Sequence, residues 1–199
     1  HGVFKKMIAD KMKAAIEAHT QEMMSRNPFF LKAKAGEMTR QDVARYLSNL
    51  GYAFSQAVPN LSRASVRAEE LGYTTLAAFM HDKIREETGH DKWAEDDLRH
   101  YPDATPASLE VTPAMRELVR FVKEIIEEDP HLYLCYMAFA EYFTVLAAPE
   151  LLTHLDERCG IKPETLSAVG KHEASDRHHV SEDLDAVSLF IATPELEQR

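Results

Sequence analysis

The residues best suited to chemistry lie near the C-terminus, in Lys171-His172-Glu173-Ala174-Ser175-Asp176-Arg177-His178-His179. If this stretch is helical, Asp176 lies about 40° to one side of His172 and His179 about 20° to the other. Two imidazoles and a carboxylate would then project from one stripe, roughly 60° wide and about two turns long. That set suits iron or manganese and leaves coordination positions open for oxygen or substrate. Apolar Leu166, Val169, Val180, Leu184 and Val187 occupy a neighbouring arc, so the stripe borders the buried side of its helix.

Two further signals lie upstream. Between Leu132 and Ala148, Glu141 is the only charged residue. A helix apolar on nearly all sides is buried, and an unpaired carboxylate within it is costly or stays protonated. A metal ion is the strongest way to satisfy it, and a hydrogen bond from a neighbouring Tyr, His or Arg is the other. The second signal is Glu86-Glu87-Thr88-Gly89-His90, whose Glu87/His90 and Glu86/His90 spacings can share a metal. Charged surface faces carry the same spacing, so this segment gains weight only beside the others. Together the three stretches supply three histidines, two glutamates and one aspartate. Two divalent ions carry +4 against −3 from three carboxylates, so such a cluster comes near to charge balance when buried.

The elements that must position these groups are helical throughout. Residues 3–25 repeat Phe4, Met7, Ile8, Met12, Ile16 and Met23 at helical spacing, and Asn27-Pro28-Phe29-Phe30 breaks the pattern. Thr39-Arg40-Gln41-Asp42 resembles a capping sequence. It opens a second helix through Val43, Tyr46, Leu47, Leu50 and Phe54 that ends or kinks at Pro59. A third segment runs to about Leu71, where Gly72 stops it. One helix is expected over 74–99, followed by a loop at Pro102 and Pro106. Thr112-Pro113 opens another that ends near Pro130. The next runs to about Asp156, and the last long helix spans about 163–191. Thr193-Pro194 is expected to start a further helix that the chain end cuts short. No β-type alternation and no internal repeat is visible.

Composition bounds the reading. The chain has 199 residues, 45% of them hydrophobic, which predicts one domain over residues 1–199 with a sizeable core. Its net charge is −10, which argues against nucleic acid or an anionic membrane as partner. The two cysteines, Cys135 and Cys159, make no disulfide framework, and a cytoplasmic location is expected. No signal peptide follows His1-Gly2, and no apolar run is expected to span a membrane.

The order Glu/His on one helix, Glu on a later one and His-x3-Asp-x2-His on the last resembles the heme-oxygenase-like diiron oxidases and oxygenases. Asn27-Pro28-Phe29-Phe30, Gly36-Glu37-Met38-Thr39 and Tyr46-Leu47 are similar to the first two helices of that superfamily. The resemblance runs from about residue 15 to 185. It implies an all-α, seven-helix bundle that binds two iron ions, often loosely, and activates O2 to oxidise an amine, an amino-acid-derived compound or a fatty-acid-like substrate. By position it implies His90, Glu141, His172, Asp176 and His179 as metal ligands. The chain departs from the pattern at Lys83, where several members carry a glutamate seven residues before the histidine. Glu87 is taken as the replacement, with Glu86 and Asp97 as the other possibilities. A redox partner and a homodimer are expected.

Two relatives of the same fold give runner-up readings. Heme oxygenases hold heme on a first-helix histidine, and Glu17-Ala18-His19-Thr20-Gln21 is similar to that site. Tyr136 to Ala148, however, has no glycine, and Phe139, Tyr142 and Phe143 would crowd a porphyrin. Thiaminase II-type hydrolases use a late-helix cysteine, for which Cys135 is suggestively placed; a metal-free hydrolase or binding protein is therefore the alternative. The pyrroloquinoline quinone synthases share the fold, but nothing here favours their basic cofactor pocket. Tyr133, Tyr136, Phe139, Tyr142 and Phe143 are the expected pocket walls.

Overall fold

The structure, a computed structural model, describes residues 2–198, with side chains from Met7 onward. His1 and the packing of Phe4 lie outside that description. Helix α1 (Gly2–Arg26) is followed by α2 (Pro28–Lys34), a short helix where only a break was expected. Asn27 caps α2 by accepting the Phe29 N–H at 2.9 Å. Helix α3 (Arg40–Glu70) opens with the expected reciprocal Thr39/Asp42 capping box. It runs unbroken through Pro59, so the expected second and third helices are one. Buried residues on both sides of the proline, among them Leu47, Leu61 and Ala64, pack on neighbouring helices and hold the two halves in line.

The opposite correction applies to the single helix expected over 74–99. It is two, α4 (Thr74–Glu87) and α5 (His90–Leu98), divided at Gly89. The chain continues through α6 (Pro106–Leu109), α7 (Pro113–Glu128), α8 (Pro130–Cys159), a 3-10 turn at Pro163–Leu166, α9 (Ser167–Phe190) and α10 (Pro194–Gln198). Among the described residues there is no strand, and α1, α3, α4, α5, α7, α8 and α9 are the long elements. Asn49 of α3 accepts from both the N–H and the hydroxyl of Thr112, at 3.0 and 2.9 Å, and so ties α3 to the cap of α7.

The apolar core is in two parts, and the division explains where polar residues can sit. One cluster joins Leu61, Met80, Leu134, Ala138, Ala186 and Val187; the other joins Val43, Leu47, Ala148, Leu155, Leu166 and Val169. Helices α8 and α9 each contribute to both clusters, in opposite sequence order, so they pack antiparallel. Between Ala138 and Ala148 on α8, and between Val169 and Ala186 on α9, lies a layer belonging to neither cluster. Glu141, His172, Asp176 and His179 all fall in that layer. By length and composition α8 is also apolar enough to cross a membrane, which its single buried charge had masked in sequence; here its two halves belong to the two core clusters.

Candidate metal centre

Four helices meet at the polar layer. Glu87 is the last residue of α4 and His90 the first of α5. They are brought together by a turn instead of a continuous helical face. Gly89, at φ +94°, redirects the chain so that His90 Nδ1 lies 3.1 Å from Glu87 Oε2. That backbone region is open to glycine and strained for other residues. A Cβ at Gly89 would meet nothing within 4 Å, so the cost of a side chain there is backbone strain alone. Gly89→Ala is expected to lower stability by about 1–2 kcal/mol, read from the denaturant midpoint, and to weaken metal binding by displacing His90.

Facing this turn, α8 contributes Glu141 and α9 contributes His172, Asp176 and His179. Donor atoms of Glu87, His90 and His172 lie within 4.8 Å of one another, and so do those of Glu87, Glu141 and His179. Glu87 belongs to both trios, so one carboxylate could serve both donor groups. Asp176 is fully buried and lies 3.0 Å from His172 Nδ1, leaving His172 Nε2 to face Glu87 at 3.9 Å. A carboxylate behind an imidazole fixes its orientation and raises its basicity as a ligand. Within this arrangement Asp176 supports His172 as much as it offers a donor of its own. The imidazole of His172 is further held by Phe54, stacked at 4.3 Å, and by His90, edge-on at 5.0 Å. His179 places Nδ1 4.0 Å from Glu141 and Nε2 3.5 Å from Glu86.

The chemistry of the donor set fits a divalent metal. His172 Nε2, His179 Nδ1, Glu141 Oε2 and Asp176 Oδ1 are all buried without a hydrogen-bond partner among the described residues. Buried polar atoms are rarely left so, and four of them converging on one layer point to an ion that would take them. The electrostatics agree. Burial, reinforced by Asp183 and Asp176, pushes the Glu141 carboxyl up to about 11, so without a cation it holds its proton. Burial also acts to raise Glu87, but His90, His172 and His179 outweigh it and keep it a carboxylate. For His172, burial opposes the charged ring, and bonding to Asp176 overcomes that, so its pKa is raised. Burial raises Asp176, although His172 works against it.

Asp183 and the partners of Lys83 escaped the sequence reading. Asp183 is fully buried on α9, one turn beyond His179, and its charge helps to raise the Glu141 carboxyl. Lys83 of α4, 2% exposed, holds it at 3.1 Å and also holds Glu86 at 3.0 Å and Glu182 at 2.9 Å. Burial disfavours the ammonium, but Asp183 and its neighbours more than compensate, so its pKa is raised. Thus the residue that departs from the expected glutamate is a buried cation serving the same carboxylate layer. Glu86 is taken up by this contact and by His179. Asp97 is not at the centre: it accepts from Ser167 Oγ at 2.8 Å and from the Ala168 N–H at 2.6 Å, capping α9.

A cavity of about 760 Å³ opens beside the centre, with His172 on its wall. Of the five aromatic walls expected, only Phe143 lines it; Phe29, Phe30, Tyr46 and Phe54 supply the others, from α2 and α3. Tyr133 is buried in the core, and Tyr142 donates to Glu17 at 2.5 Å. His19 is exposed, against Phe139, and does not line the cavity. Cys135 lines a separate, smaller cavity, where burial pushes its thiol up to about 11.

Neither a family model nor a curated protein matches the chain. It is similar to a crystal structure of a domain of unknown function with a heme oxygenase-like fold from Shewanella denitrificans OS217. The two are 18% identical, the likeness covers 95% of this chain and 82% of that one, and the TM-score is 0.82. This chain therefore has the heme oxygenase-like fold.

Proposed function

We propose that the protein is a non-heme iron oxidoreductase that uses O2 to oxidise a small organic substrate, with two ions held in the α4/α5–α8–α9 layer. The observation that carries this reading is the pair of donor trios sharing Glu87, with their unpartnered buried atoms. His90 and His172 would hold one ion and Glu141 and His179 the other, with Glu87 between them. Iron, when bound, supplies the redox chemistry that O2 requires. The chain's part is to fix the donors and shield the centre. Asp176 orients His172, and the Phe54 ring stacked on His172 keeps its Nε2 turned to Glu87. The two core clusters close the layer to water from above and below, and the cavity admits substrate on the His172 side. Hydrolysis through Cys135 is disfavoured, because a thiol raised by burial is a poor nucleophile.

The test is iron content after anaerobic loading, for wild type and for the His172→Ala/His179→Ala double variant. Wild type is expected to take up more than one iron per chain, and the variant to fall to a small fraction of that. A wild-type content under about 0.2 per chain, matched by the variant, would end the reading.

A further inference from the structure

We propose that Trp93 is a one-electron relay between the metal layer and the surface, through which the centre discharges an oxidising equivalent that no substrate has met. The proposal rests on the metal reading above.

Trp93 is the chain's one tryptophan. It follows His90 by three residues on α5, so the two side chains are neighbours on that helix. Their rings stack, with centroids 4.1 Å apart and planes 25° from parallel. The same indole meets His172 edge-on at 6.3 Å. It therefore adjoins both imidazoles of one donor trio. His90 is 5% exposed, whereas Trp93 is only partly buried, and the ammonium of the exposed Lys171 stands 5.7 Å from the ring centre. One ring thus runs from the buried histidines to the protein surface.

The two sides of the centre differ in what they offer an oxidant. On the cavity side His172 is stacked by Phe54, and both line the cavity. A benzene ring carries no heteroatom and gives up an electron with difficulty. Neither His90 nor Trp93 lines the cavity. There the partner ring is an indole, the most electron-rich of the protein aromatics. The oxidisable ring is therefore kept off the path of substrate. Tyr133 is the competing ring. It is 3% exposed, and burial, with Tyr136, Glu87 and Glu141 adding to it, holds its phenol well above the ordinary range. A phenol must shed its proton to be oxidised readily, and this one holds it. An indole can lose the electron first.

In the relay step the iron centre gains one electron and Trp93 loses one, leaving an indole radical cation. Its N1 proton passes to water. A dissolved enediol reductant such as ascorbate then returns one electron, water returns a proton, and the indole is restored.

Freeze-quench electron paramagnetic resonance tests this on the whole chain, loaded anaerobically with iron(II) and mixed with O2 in the absence of substrate. Wild type is expected to show a transient organic radical whose spectrum narrows when the protein carries indole-deuterated tryptophan. With one tryptophan in the chain, that label reports Trp93 alone. Trp93→Phe keeps a ring against His90 and is expected to lose the signal. Trp93→Tyr is expected to regain a radical, now sensitive to deuterated tyrosine. Ascorbate is expected to shorten the wild-type radical's life. No radical in loaded wild type, a radical indifferent to the tryptophan label, its survival in Trp93→Phe, or a lifetime unchanged by ascorbate each overturns the relay. If Trp93→Phe loads poorly, the label in wild type still decides. Iron content measured on the same samples separates the two readings. Wild type that takes up iron but shows no tryptophan radical ends the relay alone, whereas wild type that takes up none ends both.

Discussion

Glu141→Gln is expected to stabilise the metal-free protein and at the same time to weaken metal binding. Glu141 is 6% exposed, and it shares its surroundings with Asp183 and Asp176. In the unfolded chain it ionises near 4.5, whereas in the folded metal-free protein burial and those two carboxylates keep it protonated up to about 11. A group whose pKa is raised on folding contributes its full stability below the unfolded value and loses it as pH rises. The metal-free protein should therefore weaken between pH 5 and 10. Glutamine keeps the shape, never ionises, and removes that slope. The gain at pH 8 should be on the order of 1–3 kcal/mol, read as a shift in denaturant midpoint with chelator present. Calorimetric titration with iron(II) should show the loss of one ion's affinity. A variant no more stable than wild type, with an unchanged pH slope, would mean that Glu141 is already satisfied within the protein. A carboxylate that would hold metal is a burden without it, as expected where a fold keeps a polar group for function.

What can be read from sequence follows from how local each feature is. The His172/Asp176/His179 stripe needs only an unbroken helix, and α9 is one, so its angular order survives in the fold. Glu141 is visible because a charge alone in an apolar run demands a reason. The all-α bundle is likewise announced by helix periodicity and caps, of which the Thr39/Asp42 box is the clearest, whereas its heme oxygenase-like type is implied by resemblance alone. Features set by contacts between helices are not visible in this way. Glu87 and His90 do come together, but through the left-handed Gly89 and not along a helix, which is also why the segment over 74–99 is two helices. Asp97 keeps its helical spacing from His90 along α5, yet the approach of the α9 N-terminus gives it a capping role. The aromatics of α8 are conspicuous in sequence and suggest that this helix walls the cavity. Packing instead places only Phe143 there and brings α2 and α3 to the other sides. Pro59 misleads in the opposite sense, since a proline signals a local break that tertiary packing on both flanks overrides.

Lys83→Met should be the most damaging single change in the metal-free protein. The ammonium is 2% exposed and stands within 3.1 Å of Asp183, Glu86 and Glu182. Asp183 is itself fully buried, and its Oδ2 has no hydrogen-bond partner among the described residues. Removing the cation leaves a buried carboxylate beside Glu141 with nothing to balance it. Breaking a buried pair in this way costs about 3–5 kcal/mol, more than the intact pair contributes, because the remaining charge bears its desolvation unaided. The loss should be larger at pH 8 than at pH 5, because burial raises the Asp183 carboxyl and lower pH lets it take a proton, while Glu141 keeps the one it already holds. Pairing the change with Asp183→Leu distinguishes this account from a simple packing defect. If the stranded charge is the cause, the double variant recovers most of the stability, giving a large favourable coupling in the double-mutant cycle. If Lys83 acts only by filling space, the two losses add. Added divalent metal gives a second, independent reading. An ion at Glu141 and His179 supplies positive charge to the same layer, so zinc(II) should stabilise Lys83→Met by more than it stabilises wild type. Equal stabilisation of the two would show that Lys83 and the metal layer are electrostatically separate, contrary to the distances that join them.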